Sequence, residues 1–156
     1  MTASIPCRIM DALALRLNGI PGVATFTLDP VRVLSESDGI VITLEQGQQD
    51  DTDRTNDACW ITSGMTVVIS IYVPRPQALN PSVPGDKSTT PVWQLTDPFY
   101  REVHSRMMAD LATRQVNGLA LDTVPVNRQR DSDATVTVLR CVYSVTYRTR
   151  HHDITQ

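Results

Sequence analysis

The apolar positions of this chain repeat with two periods, and each change of period marks an element. Residues 135–149, TVTVLRCVYSVTYRT, form the longest run with a period of two. Thr135, Thr137, Leu139, Cys141, Tyr143, Val145 and Tyr147 share one face. Val136, Val138, Arg140, Val142, Ser144, Thr146 and Arg148 share the other. Successive side chains of a strand point to opposite faces, and β-branched and aromatic residues suit that pleated surface. Both faces are apolar in the middle, so the run predicts an interior strand, covered on one side and partly on the other. Val138, Val142 and Val145 are expected among the least exposed residues, and Val142→Asp is expected to unfold the protein.

A helical period appears twice. Ile9, Ala12, Leu13, Leu17 and Ile20 predict a helix over 5–18, with Ser4 as N-cap and Pro6 in the first turn. Asn18-Gly19 and Pro21-Gly22 end it, and Arg8, Asp11 and Arg16 fall on its outer side. Phe99, Val103, Met107 and Leu111 predict a second helix. Thr96 or Asp97 would cap it, Pro98 would open it, and Asn117-Gly118 would close it after Val116. Arg101, Glu102, Arg106 and Asp110 would face outward.

The remaining alternating stretches predict strands at 23–28 and 40–45, with a short piece at 31–34. Another covers 60–61 and 65–73, interrupted by a bulge or tight turn at Ser63-Gly64, and 119–126 reads as extended. Three stretches read as irregular. GQQDDTDRTND, 47–57, is polar and acidic, and NRQRDSD, 127–133, is a charged turn. Residues 74–97 hold five of the ten prolines, which remove donors and fix φ, so no central strand or helix is expected there. Val92, Trp93 and Leu95 would anchor the far end of that stretch or contribute to a contact surface.

Length and composition narrow the class. At 156 residues, 41% hydrophobic and 20% charged, the chain predicts one domain over 1–156 with a short polar tail at 150–156. Aromatics make up only 5%, so the core must be mostly aliphatic. A net charge of -3 argues against general duplex binding, which needs a concentrated basic surface. Cys7, Cys59 and Cys141 are widely spaced, with no zinc spacing, and each is expected to be a small buried thiol in a reducing compartment. No secretory leader or membrane span is expected from the residues given.

Candidate chemistry is thin. His151-His152-Asp153 would need metal ligands from elsewhere, and a solvated tail is the simpler reading. Asp51, Asp53, Thr55 and Asp57 space like a calcium loop, but Asn56 stands where its turn glycine belongs and Thr62 where its glutamate belongs. His104 reads as a boundary histidine rather than a base. Ser63-Gly64 lacks a nucleophile elbow, and Cys7 has no histidine partner in view. No catalytic residue, metal or cofactor is nominated. Arg128, Arg130, Arg140, Arg148 and Arg150 form a loose basic set, read first as solvated or salt-bridged and second as contacting an acidic protein surface or passing DNA phosphates.

The order of elements carries a further signal. It runs from the amphipathic helix RIMDALALRLNGI through strands, a polar loop and the strand TVVISIYVP. A long irregular stretch, the helix DPFYREVHSRMMADL and a closing strand ending VYSVTYRTRHHD follow. This order, with Tyr147-Arg148-Thr149 shortly before Asp153, resembles the tail terminator (tail completion) proteins of long-tailed bacteriophages. The Pro-rich stretch 74–97 departs from a minimal version of that pattern.

The resemblance implies an α+β, sandwich-like fold: a mixed, mostly antiparallel sheet of four to six strands with two amphipathic helices on one face. It implies a non-enzymatic virion protein at the tail–neck junction, assembled in the host cytoplasm. Six copies would form a ring that caps the tail tube, stops its growth and offers a surface for joining the head. Its partners would be itself, the tail tube protein and a head-completion or neck protein, with the sheath protein added in a contractile tail. DNA would pass through the ring without specific binding. Ring closure requires unlike patches to meet, through an edge strand or an extended loop. The three irregular stretches are the expected axial contacts, and Asp50, Asp51, Asp53, Arg75, Trp93, Arg128, Arg130 and Arg148 the candidate subunit, tube or neck contacts. Another neck or head-completion connector, and a small enzyme of unknown type, remain as alternatives.

Overall fold

A computed structural model describes residues 3–28, 39–53, 60–75, 91–109, 120–133 and 135–150. The elements are α1 (Ile5–Leu17), β1 (Thr25–Thr27), β2 (Val41–Asp53), β3 (Trp60–Pro74), α2 (Val92–Met108), β4 (Ala120–Ser132) and β5 (Val136–Arg150). The strands form one sheet in the order β1-β2-β3-β5-β4. β1 runs parallel to β2, and every other pairing is antiparallel. The fold is therefore α+β, a mixed five-stranded sheet with two helices.

One core explains the layering. Ile5, Ile9, Leu13 and Leu17 repeat every fourth residue along α1, and all are buried. They join Val103 and Met107 of α2 against Met65, Val67, Ile69, Ile71 and Val73 of β3. Leu139, Cys141, Tyr143, Val145 and Tyr147 supply the β5 side of the same cluster. The register places Ile71 beside Leu139, Ile69 beside Cys141, Val67 beside Tyr143 and Met65 beside Val145. Both helices thus cover one face of the sheet, and the period-two run supplies an interior strand, between β3 and β4. Burying each such side chain stabilises the fold by roughly 1.5–3 kcal/mol relative to leaving it exposed.

The opposite face of β5 differs from expectation. Val145 is fully buried, but Val138 and Val142 are only half-buried. Parity is the reason: residues 138 and 142 share one face, and 145 belongs to the other. That second face is not uniformly wet, since Val68, Ser70 and Thr43 are buried on it.

The edges differ most. The acidic stretch expected to be a loop continues β2 as far as Asp53, with irregular register between Gln46 and Gln49 and between Asp50 and Asp53. Those shifts sit in β2, whereas β3 passes through Ser63-Gly64 unbroken. Residues 54–57 of that expected loop lie outside the described residues, as does the expected strand at 31–34. Likewise Asn127–Ser132 is strand rather than turn, with a register shift between Pro125 and Asn127. The connection is shorter, since β4 runs to Ser132 and β5 begins at Val136. There the Asp133 carboxylate accepts from the backbone N–H of Thr135 (2.7 Å) and Val136 (2.8 Å) and from the Thr135 hydroxyl (2.9 Å). Polar residues enter strands here because a neighbouring strand satisfies their backbone, whatever their own preference.

α2 begins at Val92, so the Pro-rich stretch ends six residues earlier than expected and Pro98 lies inside the helix. A proline there removes the donor that the Gln94 carbonyl would otherwise take, a cost of about 3 kcal/mol in an isolated helix. Tertiary packing offsets it: Thr96 is fully buried and Leu95 packs on the core. The helix ends at Met108, with Leu111 and Asn117-Gly118 outside the described residues.

Arg16 and Arg106, expected to face outward, instead lock the helix ends together. Arg16 donates to the carbonyls of Arg106 (2.8 Å) and Ala109 (3.0 Å). Arg106 donates to the carbonyls of Arg16 and Asn18 (both 2.9 Å) and pairs with Glu102 at 2.8 Å. Each arginine caps the other helix, placing a cation where the unpaired carbonyls and the negative end of the dipole lie. Gly22, with φ +83°, lets the turn after α1 approach Phe99 of α2, where an added Cβ would stand 3.3 Å from the ring.

Candidate functional site

The eight candidate contact residues fall in three places. The first is the end of the sheet where β2 stops and β3 starts. Asp50, Asp51 and Asp53 lie there on β2, with Asp50 beside Gly64 and Asp53 beside Thr62. Thr62 in turn pairs with Arg148 of β5, whose side chain is exposed. Asp53, Thr62 and Arg148 therefore form one row across three strands, spanning roughly 10 Å at ordinary strand spacing.

The second place is the opposite end. Arg75, just past β3, donates its backbone N–H to the Thr135 carbonyl (2.8 Å) and its Nη1 to the Asp133 carbonyl (2.9 Å). It braces the β4–β5 turn. Asp133 is held below the usual carboxylate range, first by the Val136 N–H and then by the Thr135 N–H and hydroxyl, with Arg75 assisting.

The third place is the β4 side. Arg128 lies 4.5 Å from the centre of the Tyr100 ring, and Arg130 donates to the Thr96 hydroxyl at 3.2 Å. Thr96 and Tyr100 are one turn apart on α2, so two alternate arginines of β4 meet two successive helix turns. Trp93, one turn earlier, is 55% exposed. Val124 and Val126 of β4 are 49% and 60% exposed. Sequence reasoning named the arginines but not their partners. The alternation of Arg128 with Arg130 was the available signal that both belong to a strand.

The expected axial contacts cannot all face one way. Residue 53 leaves β2 at one end of the sheet, whereas residue 75 leaves β3 beside the β4–β5 turn at the other. The acidic stretch and the Pro-rich stretch thus depart from opposite ends.

Groups with chemical potential are engaged in structure. Tyr143 Oη and His104 Nδ1 lie 3.1 Å apart, the histidine tautomer deciding which donates. Tyr100 stacks on His104 with ring centres 5.5 Å apart. Burial, with help from Cys141 and Tyr100, pushes the Tyr143 phenol well up, so it stays protonated. Burial likewise raises the Cys141 thiol to about 11, against the pull of Arg128 and Arg130. Gln49 Nε2 donates to the hydroxyl of buried Tyr147 at 2.8 Å.

Cys7, expected to be buried, is exposed, because it falls one step outside the Ile5–Ile9 stripe of α1. It lines an open hollow of ≈ 350 Å³ between α1 and β2, with Met10, Asp11, Leu28, Leu44 and Glu45. Cys59 and His151-His152-Asp153 lie outside the described residues, as do Thr55, Asn56 and Asp57 of the calcium-like spacing. Among the described residues no group of three or more His, Cys, Asp or Glu side chains is placed to hold a metal ion. No described helix is long and apolar enough to cross a membrane.

Compared with known proteins, the chain matches no family model and no curated protein.

Proposed function

We propose that this chain is a structural protein of the tail–neck junction of a long-tailed bacteriophage, a ring-forming tail terminator. The observation that supports this reading is the fold itself. The resemblance in element order implies two amphipathic helices on one face of a mixed, mostly antiparallel sheet, and these elements adopt that arrangement. In this reading the work is geometric. A rigid sheet presents loops at both ends, one set toward the tail tube protein and the other toward a head-completion or neck protein. Departure of the acidic and Pro-rich stretches from opposite ends suits a ring with two unlike partners. The mutual capping of α1 and α2 by Arg16 and Arg106 ties the two helices of the covering layer together.

The test is electron microscopy of the purified protein mixed with tail tubes. The expected result is one ring at the tube end and an arrest of further tube growth. Binding to a portal assembly instead of the tube would transfer the protein to the head side of the neck. Binding to neither would remove the virion reading.

A further inference from the structure

α1 ends on an Asn-Gly pair. Asn18 is its C-cap and Gly19 follows, and both are exposed. Gly19 sits at φ +74°, and a Cβ added there would meet nothing within 4 Å. Such a pair has a chemistry of its own. The backbone nitrogen that follows an asparagine can attack the side-chain amide carbon, one reason asparagine is a thermolabile residue. Glycine, with no Cβ, leaves that nitrogen unshielded and its backbone free to turn.

The same pair carries part of the lock between the helices. The Asn18 N–H donates to the Ala14 carbonyl at 3.0 Å, and the Asn18 carbonyl accepts from Arg106 Nη1 at 2.9 Å. Between those two groups lies the Asn18 ψ torsion, which stands at 146°. At that angle the Gly19 nitrogen is out of line with the Asn18 side chain. The five-membered ring closes only after a large rotation about ψ, and that rotation swings the carbonyl off Arg106. We propose that Asn18-Gly19 is a site of spontaneous deamidation, and that Arg106 restrains it by clamping the Asn18 carbonyl.

The step needs only water. The Gly19 nitrogen gives its proton to solvent base and bonds to Asn18 Cγ. The Cγ–Nδ2 bond breaks, and the nitrogen leaves as ammonia with a proton taken from water. Water then opens the cyclic imide at either carbonyl, to aspartate or to isoaspartate. The isoaspartate product inserts a methylene into the main chain at the residue that Arg106 grips, so its carbonyl no longer meets the guanidinium. That carbonyl is one of the unpaired acceptors at the end of α1, and losing its donor frays the helix end. The tie between α1 and α2 and the chemical state of Asn18 thus depend on each other. None of this rests on the tail-terminator reading.

The experiment incubates the full chain at mildly alkaline pH. Peptide mapping by mass spectrometry follows conversion at residue 18, separately from the second Asn-Gly pair at 117–118. The folded protein is expected to convert several-fold more slowly than the same chain in urea. Arg106→Ala, its fold checked by circular dichroism, should convert several-fold faster than the wild type. Glu102→Gln, which weakens the 2.8 Å pair that orients Arg106, is the milder variant and should give a smaller acceleration. Ile71→Val trims the buried core and leaves Arg106 in place, so it should keep the wild-type rate. Equal rates in folded and urea-unfolded protein, or no acceleration by either change at the clamp, would overturn the proposal. Acceleration by Ile71→Val as large as that by Arg106→Ala would assign the protection to global stability and overturn it as well.

Discussion

β3 and β5 are built unlike β2 and β4, although all four are long. The middle pair is apolar on alternate positions, runs in unbroken register for fifteen paired residues and lines the core. The outer pair carries polar and charged residues, register shifts in both strands and a proline in β4. The middle strands are held by burial, which is non-directional and large. The first residues of β2, Val41–Leu44, are buried and belong with the middle pair, whereas β2 beyond them and β4 are held chiefly by backbone pairing with β3 and β5, which is local and small. Substitutions should therefore cost stability in the middle and interaction at the edges.

The sharpest contrast lies within β5. Val145→Asp would bury an unpaired carboxylate against the helices and should unfold the protein, a loss of about 4 kcal/mol or more, read by urea denaturation. Val142→Asp, on the half-buried face, should stay folded with a loss of about 1–2 kcal/mol. Equal losses at both positions would erase the distinction between the two faces.

Met107→Ala comes next. It empties a fully buried site between α2 and the sheet and should cost about 2–5 kcal/mol in the same measurement. Arg106→Ala is a smaller break. It removes two donors to the end of α1 and one to Glu102, and should cost about 1–2 kcal/mol, seen as a lower melting temperature. Arg106→Lys should recover only part, because an ammonium cannot reproduce the planar fork.

Asp133 sharpens the comparison through pH. Its folded carboxyl is held below its ordinary value, so it stabilises the turn above about pH 4, where the unfolded carboxyl is ionised. That contribution is lost as pH falls through the lowered folded value. Asp133→Asn should therefore lower the melting temperature at pH 7, and the two proteins should converge in acid. A gap that persisted after full protonation would assign the effect to packing rather than charge. The smallest expected change is at the edge. Val126→Ser should alter stability by less than about 0.5 kcal/mol, since the side chain is already exposed.

Legibility followed the same division. The core stripe of α1 and the strand β5 were readable because a single period repeats over several turns or pairs. Residues 47–53 and 127–132 were misread as loop and turn because nothing in GQQDDTD or NRQRDS alternates in hydrophobicity. Those residues are strand only because β3 and β5 lie beside them. Pro98 misled in the same way: as a helix opener it is correct local chemistry, overridden by the packing of Thr96 and Leu95 one turn earlier. The arginines of the candidate surface were visible as charges, but their separation into a turn brace, a sheet end and a helix-facing edge was not.

By itself, then, the sequence determined the local periods: one amphipathic helix at the start, a second after the prolines, and a closing strand with a buried odd-numbered face. These follow from the spacing of side chains along a helix or strand, which a linear chain already contains. The tertiary structure alone decided which polar segments became strands, which arginine caps which helix, and which strands were left at the edges. Those outcomes depend on backbone groups and charges meeting across distances in sequence of up to 98 residues, as in the bond between Gln49 and Tyr147. No local pattern can encode such a meeting until the core has brought the segments together.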